Sequence, residues 1–261
     1  SGHRDLGTPI STSTTKAVVA IHGSNPTSST DLFSDGEWPG LLFALDTRLP
    51  NDWSLVEYGW EASAATGGDD DYATSASEAA ILHGRHLAQQ LEINSPNLTK
   101  IQLIAHGAGA WAAWSCARYL LKESSLASTI QVQVTLLNPY VPTEAGVTGT
   151  ALSKDLMRFL GSASNTDLSA DWPESKLKRI ESFYSKDVIW PRYNEAPGTN
   201  FEISWRESTD ETVAVNKLLL RADDERLSGS ESAGSYDGHF GPVKFYADSV
   251  WNGLYAWAKS L

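Results

Sequence analysis

Apolar positions along this chain fall into short unbroken runs separated by amphipathic stretches. Ala17-Val18-Val19-Ala20-Ile21 is wholly apolar and is cut off by His22-Gly23-Ser24-Asn25-Pro26. A run without alternation predicts a strand buried on both faces, and the Gly/Pro cluster marks its end. Trp38–Arg48, with Leu41, Leu42 and Leu45 on one side, predicts a helix. Ser54–Tyr58 predicts a second strand, ending at Gly59-Trp60-Glu61. A helix is predicted over 75–91, with Pro96 beyond its end. A strand over 101–105 and an Ala- and Trp-rich helix over 108–122 follow. Further strands are predicted over 130–137, 177–184, 201–205 and 212–220, a turn over 236–242 and a C-terminal helix over 244–259.

Strands that alternate with helices predict an α/β fold: a mostly parallel sheet with helices on both faces. Residues 1–15 are polar and rich in Ser and Thr and read as a flexible lead-in; 16–261 read as one domain. Within it, 140–176 is rich in Gly, Ser, Asn and Pro, with a short helical stretch over 155–160, and is a candidate small lid.

Composition narrows the function classes. A chain of 261 residues can hide a large core, since domains of this size bury roughly 70–75% of their unfolded surface. The net charge of −12 repels phosphate backbones and argues against a nucleic-acid partner. The single cysteine, Cys116, excludes an internal disulfide. No apolar run reaches the ~18 residues that a membrane span requires. No signal peptide is legible, and Ser1-Gly2-His3 reads as a cloning remnant standing in place of the natural N-terminus.

Two patterns suggest ions and are set aside. Three consecutive carboxylates in Gly67-Gly68-Asp69-Asp70-Asp71 cannot all converge on one cation, so the stretch reads as a solvated acidic turn. His83 and His86 are three apart, whereas zincin helices space their histidines by four around a glutamate. No metal centre and no cofactor is expected.

The stretch with most chemical content is Ile101-Gln102-Leu103-Ile104-Ala105-His106-Gly107-Ala108-Gly109-Ala110-Trp111. A buried strand runs through a small-residue turn straight into a helix. One reading is a nucleophile elbow, in which a strained turn lifts a nucleophile above the sheet while small neighbours let strand and helix approach. At the nucleophile position stands Gly107, which has no side chain and cannot attack a carbonyl. The other reading is a dinucleotide-binding turn over Gly107-Ala108-Gly109-Ala110-Trp111-Ala112. That turn calls for a carboxylate at the end of the next strand to hold the ribose. Here the next strand ends at Leu137-Asn138-Pro139.

The rest of an acyl-transfer site can be sought in order. An oxyanion needs two preorganised N–H donors. Ala108, after the elbow, and Ser24, in the loop after the first buried strand, are the candidates. Asp187 follows a strand after the elbow, and His239 lies in a Gly-flanked loop before the last helix, so nucleophile, acid and histidine come in the order this fold uses. Asp210 and Asp223 are fallback acids. His22, His106, Trp60, Trp111 and Trp190 are candidate pocket residues, being next to strand ends or the elbow, while most of the ten tryptophans are expected to be core.

On Ala17 to Ser24, Ile101 to Trp111, Asp187 and Gly238 to Pro242, in that order, the chain resembles α/β hydrolases of the lipase/esterase type. The resemblance implies a Ser-His-Asp/Glu triad and ester hydrolysis without a cofactor. It implies Gly107 at the nucleophile position, His239 as base, Asp187 as its orienter and backbone donors at Ser24 and Ala108, with a small-molecule ester or related acyl compound as substrate. His106-Gly107-Ala108-Gly109 departs from the pattern by lacking the serine. The resemblance therefore implies a natural non-catalytic relative that binds a ligand, or an enzyme inactivated by replacement of its serine.

Overall fold

The apolar runs lie side by side. The computed structural model describes residues 4–5, 10–25, 31–34, 36–65, 72–139, 177–185, 213–219 and 240–252, and only the backbone of 4–5, 72–74, 177–185 and 213–219. Its strands are β1 (Arg4–Asp5), β2 (Lys16–Ile21), β3 (Ser54–Tyr58), β4 (Lys100–His106), β5 (Gln131–Leu137), β6 (Leu177–Ser185) and β7 (Val213–Leu219). They form one sheet in the order β1-β3-β2-β4-β5-β6-β7. Each of these pairings is parallel. The helices are α1 (Trp38–Arg48), α2 (Glu61–Ala64), α3 (Tyr72–Asn94), α4 (Gly109–Lys122) and α5 (Gly241–Asn252). This is the expected α/β architecture.

Parallel strands require crossover connections, and side-chain alternation decides which face each crossover covers. Ala17, Val19 and Ile21 of β2, Ile101, Leu103 and Ala105 of β4, and Val132, Val134 and Leu136 of β5 enter one core with α3 and α4. The intervening Val18, Ala20, Ile104 and Leu137 enter a second core with α1 and α5. On the first face, α3 and α4 cross at backbone contact: a Cβ on Gly84 would lie 2.2 Å from the Ala112 carbonyl oxygen. On the second face, the Gln102 side-chain amide donates to Tyr246 Oη at 2.7 Å and to Thr135 Oγ1 at 3.0 Å, fastening α5 to β4 and β5.

Some boundaries differ from the sequence reading. The lead-in contributes β1, whose Arg4 and Asp5 pair with Val56 and Glu57 at the sheet edge. α3 extends beyond 75–91 at both ends, and α5 begins at Gly241, inside the predicted turn. Pro242 read as a turn residue, but its fixed φ and missing N–H also suit the first turn of a helix. The stretches at 67–71, 155–160, 201–205, the candidate lid at 140–176 and the helix after 252 lie outside the described residues.

Candidate active site

The chain goes from β2 to β3 on one side and then returns to lay β4 on the other side of β2. Strand order reverses there, and in open parallel sheets the crevice at the carboxyl ends of the two diverging strands is where ligands bind. The residues following those two strands are His22-Gly23-Ser24 and Gly107-Ala108-Gly109. The two segments that sequence reasoning singled out independently therefore meet at the switch point.

They meet in close contact. A Cβ on Gly23 would lie 3.1 Å from the His106 carbonyl oxygen and 3.6 Å from Gly107 Cα. A Cβ on Gly109 would lie 2.3 Å from the His22 carbonyl oxygen, so that close approach excludes a larger residue unless backbone moves. Gly107 takes φ +53°, the left-handed region. Its N–H donates to the Leu137 carbonyl at 3.1 Å, continuing the β4–β5 ladder, while its own carbonyl accepts from Ala110 N–H at 3.2 Å in the first turn of α4. The elbow is thus a single left-handed residue that ends a strand and starts a helix. Ala108 stands at the N-terminus of α4, where backbone N–H groups have no intrahelical acceptor.

His22 is wholly buried and both ring nitrogens are engaged. Trp60 donates its backbone N–H to Nε2 at 3.0 Å and its indole N–H to the His22 carbonyl at 3.0 Å. Because Nε2 accepts, Nδ1 carries the ring proton and donates to the Gly23 carbonyl at 2.8 Å. The imidazole stacks on the Trp60 ring with centroids 5.3 Å apart, and Phe33 meets it edge-on at 5.4 Å.

Glu61 Oε1 lies 3.5 Å from His22 Nε2. The Glu61 carboxyl is held below the usual carboxylate range chiefly by the adjacent His22 ring; burial opposes this, and the backbone N–H groups of Glu61 and Leu32 add to it. Sequence reasoning counted Trp60 among the pocket candidates and gave Glu61, just past the strand end, no role. The missing information was strand pairing: Ile21 lies opposite Tyr58, which brings the residues just past β3 beside those just past β2.

His106, 2% exposed, stacks on Phe240 with centroids 4.9 Å apart, and Trp38 meets it edge-on at 6.3 Å. Phe240 is also the neighbour of Gly36, where a Cβ would lie 3.3 Å from its ring. The residue following His239 therefore rests on the residue preceding Gly107. Trp60 is 3% exposed beside His22, whereas Trp111 is fully buried on the α3 side, edge-on to Trp114 at 6.2 Å. His83 turns toward Tyr58, Nδ1 to Oη 2.9 Å, and sits 5.6 Å from the Trp60 ring. Burial, then the charges of His86 and His22, hold the His83 ring below the usual histidine range. No group of three metal-ligating side chains converges among the described residues. Asp187, His239 and Trp190, with the fallback acids Asp210 and Asp223, lie outside the described residues.

The chain matches no family model and no curated protein. Several solved structures resemble it as folds. An esterase of Pyrococcus furiosus is 12% identical, with 94% of this chain and 83% of that chain covered and a TM-score of 0.44. An esterase of Pyrobaculum calidifontis is 17% identical, with 100% and 78% covered and a TM-score of 0.43. A hydrolase of Oleispira antarctica is 12% identical, with 94% and 92% covered and a TM-score of 0.41. No helix among the described residues is long and apolar enough to cross a membrane.

Proposed function

We propose that this chain is a carboxylic-ester hydrolase scaffold of the α/β-hydrolase, lipase/esterase type whose nucleophile position is occupied by Gly107. The observation that carries the reading is the convergence at the switch point: the His22-Gly23-Ser24 loop lies against the elbow, and Phe240 stacks on His106. With serine at the elbow, its oxygen attacks the ester carbonyl while His239, oriented by Asp187, takes the hydroxyl proton. The N–H groups of Ser24 and Ala108 receive the oxyanion. The alcohol leaves with the proton from His239, and a water activated by the same ring releases the acid. With Gly107 there is no acyl-enzyme, and the crevice binds a small acyl compound without turning it over through this route.

The test is Gly107→Ser. Serine must accept the left-handed conformation, at a cost of about 1–2 kcal/mol in stability. The expected result is hydrolysis of p-nitrophenyl esters at least about 10³-fold above the glycine protein, with labelling by a fluorophosphonate. A folded Gly107→Ser protein that neither turns over esters nor labels would refute the reading.

A further inference from the structure

The loop after β2 is tied to the turn after β3 by more bonds than chain continuity requires. Trp60 contributes its backbone N–H to His22 Nε2 and its indole N–H to the His22 carbonyl. Asn25 adds two more: its backbone N–H donates to the Ala64 carbonyl at 2.9 Å, and its side-chain amide to the Glu61 carbonyl at 3.2 Å. The bonds to Trp60, Glu61 and Ala64 therefore sit at both ends of the Gly23–Ser24 peptide. That peptide itself is gripped by the ring of His22, whose Nδ1–H bonds the Gly23 carbonyl.

A trans peptide is planar, and its N–H points opposite its C=O. Fixing the Gly23 carbonyl therefore fixes the direction of the Ser24 N–H. The proton is available on Nδ1 only because the Trp60 N–H claims Nε2; the other neutral tautomer would place two N–H groups face to face at Nε2 and leave Nδ1 unable to donate. Burial removes water that would otherwise compete for either nitrogen.

We propose that His22 is a positioning residue, locked by Trp60 as the Nδ1–H tautomer so that it aims the Ser24 N–H at the developing oxyanion. This rests on the hydrolase reading of the elbow and extends it to a residue that touches no substrate. The Trp60–Ala64 segment is the template: it sets the tautomer, His22 sets the peptide, and the peptide supplies the donor.

Two measurements test it. In the unaltered chain, nitrogen-15 NMR of the His22 ring is expected to show Nδ1 protonated and Nε2 unprotonated in the neutral imidazole. In the Gly107→Ser background, His22→Gln, which has no N–H at the Nδ1 position, is expected to lower kcat on p-nitrophenyl esters by about 10- to 100-fold while KM stays within about threefold, as for misplacement of a catalytic donor rather than loss of binding. An Nε2–H tautomer overturns the proposal, and so does a kcat indifferent to His22→Gln. If His22→Gln does not fold, the tautomer alone decides. A Gly107→Ser protein without turnover removes the hydrolase reading and the role of His22 with it, whereas turnover with the wrong tautomer removes only the latter.

Discussion

Gly109→Ala adds one methyl group where the structure has no room for it. Its Cβ would lie 2.3 Å from the His22 carbonyl oxygen and 3.1 Å from that of Ile21. Ordinary contact begins near 3.4 Å, so the first approach is short by about 1.1 Å, and both obstacles are backbone rather than the end of a flexible side chain. Relief requires the N-terminus of α4 to move away from β2, or the His22 peptide to move and break its bond from the Trp60 indole. Overpacking against rigid structure costs roughly 1–3 kcal/mol, and leaving a buried carbonyl unsatisfied costs roughly another 1–3 kcal/mol. A loss of about 2–6 kcal/mol is expected, and with a sensitivity of about 2–4 °C per kcal/mol the melting temperature falls by roughly 4–24 °C. Thermal unfolding followed by tryptophan fluorescence measures this directly. Gly40→Ala is the matched control: it lies in α1 with nothing within 4 Å of the added methyl, and its helix propensity should raise stability by up to about 1 kcal/mol. If Gly109→Ala melts at or above the parent temperature, or if both substitutions shift it the same way, the close approach of α4 to the β2 loop is refuted.

Two further outcomes are expected from the buried ionisable groups. The Glu61 carboxyl has a lowered pKa in the fold, so its stabilising contribution is fully present above its unfolded value near 4.5 and is lost as pH falls through the lower folded value. Denaturant titrations of Glu61→Gln against the parent should show a gap in stability at pH 6 that closes toward pH 3, and a gap that widens on acidification would contradict the assignment. The Cys116 thiol is fully buried and pushed far up by that burial, so a disulfide reagent at pH 8 should leave it unmodified in the native protein and react stoichiometrically once denaturant is added.

The sequence was most legible where one short-range pattern settles the outcome. β3 was read with its observed limits, because Ser54 and Tyr58 are bracketed by turn residues. β4, Gly107 and α4 were read as strand, elbow and helix because only small residues permit that junction. What stayed hidden depended on partners distant in the chain. Arg4 and Asp5 form a strand only because the edge of β3 offers them a ladder. The bonds of Trp60 to His22, and the place of Glu61 beside that ring, follow from the pairing of β2 with β3, which no local pattern encodes. Trp111, a candidate for the pocket from its place beside the elbow, is fully buried in the core shared by α3, α4 and the sheet. His22 looked like one half of a short motif, and its tautomer became definable only with the Trp60 N–H in view.

The two cores on opposite faces of the sheet also differ in when they can close during synthesis. The buried members of the α3–α4 core among the described residues all come from positions 10 to 136. The core under α1 needs Val243, Tyr246, Ala247 and Val250 from the far end of the chain. A ribosome delivers the N-terminal part first, and domains begin to collapse as they emerge. A growing chain can thus seal one side of β2–β5 while Val18, Ala20, Leu55, Ile104 and Leu137 have α1 over them but still await the share of the cover that α5 brings. Gln102 then has Thr135 to bond, but its Tyr246 partner is not yet made. Phe240 arrives with that last helix, so His106 acquires its stacking partner at the same moment that α5 reaches the second face.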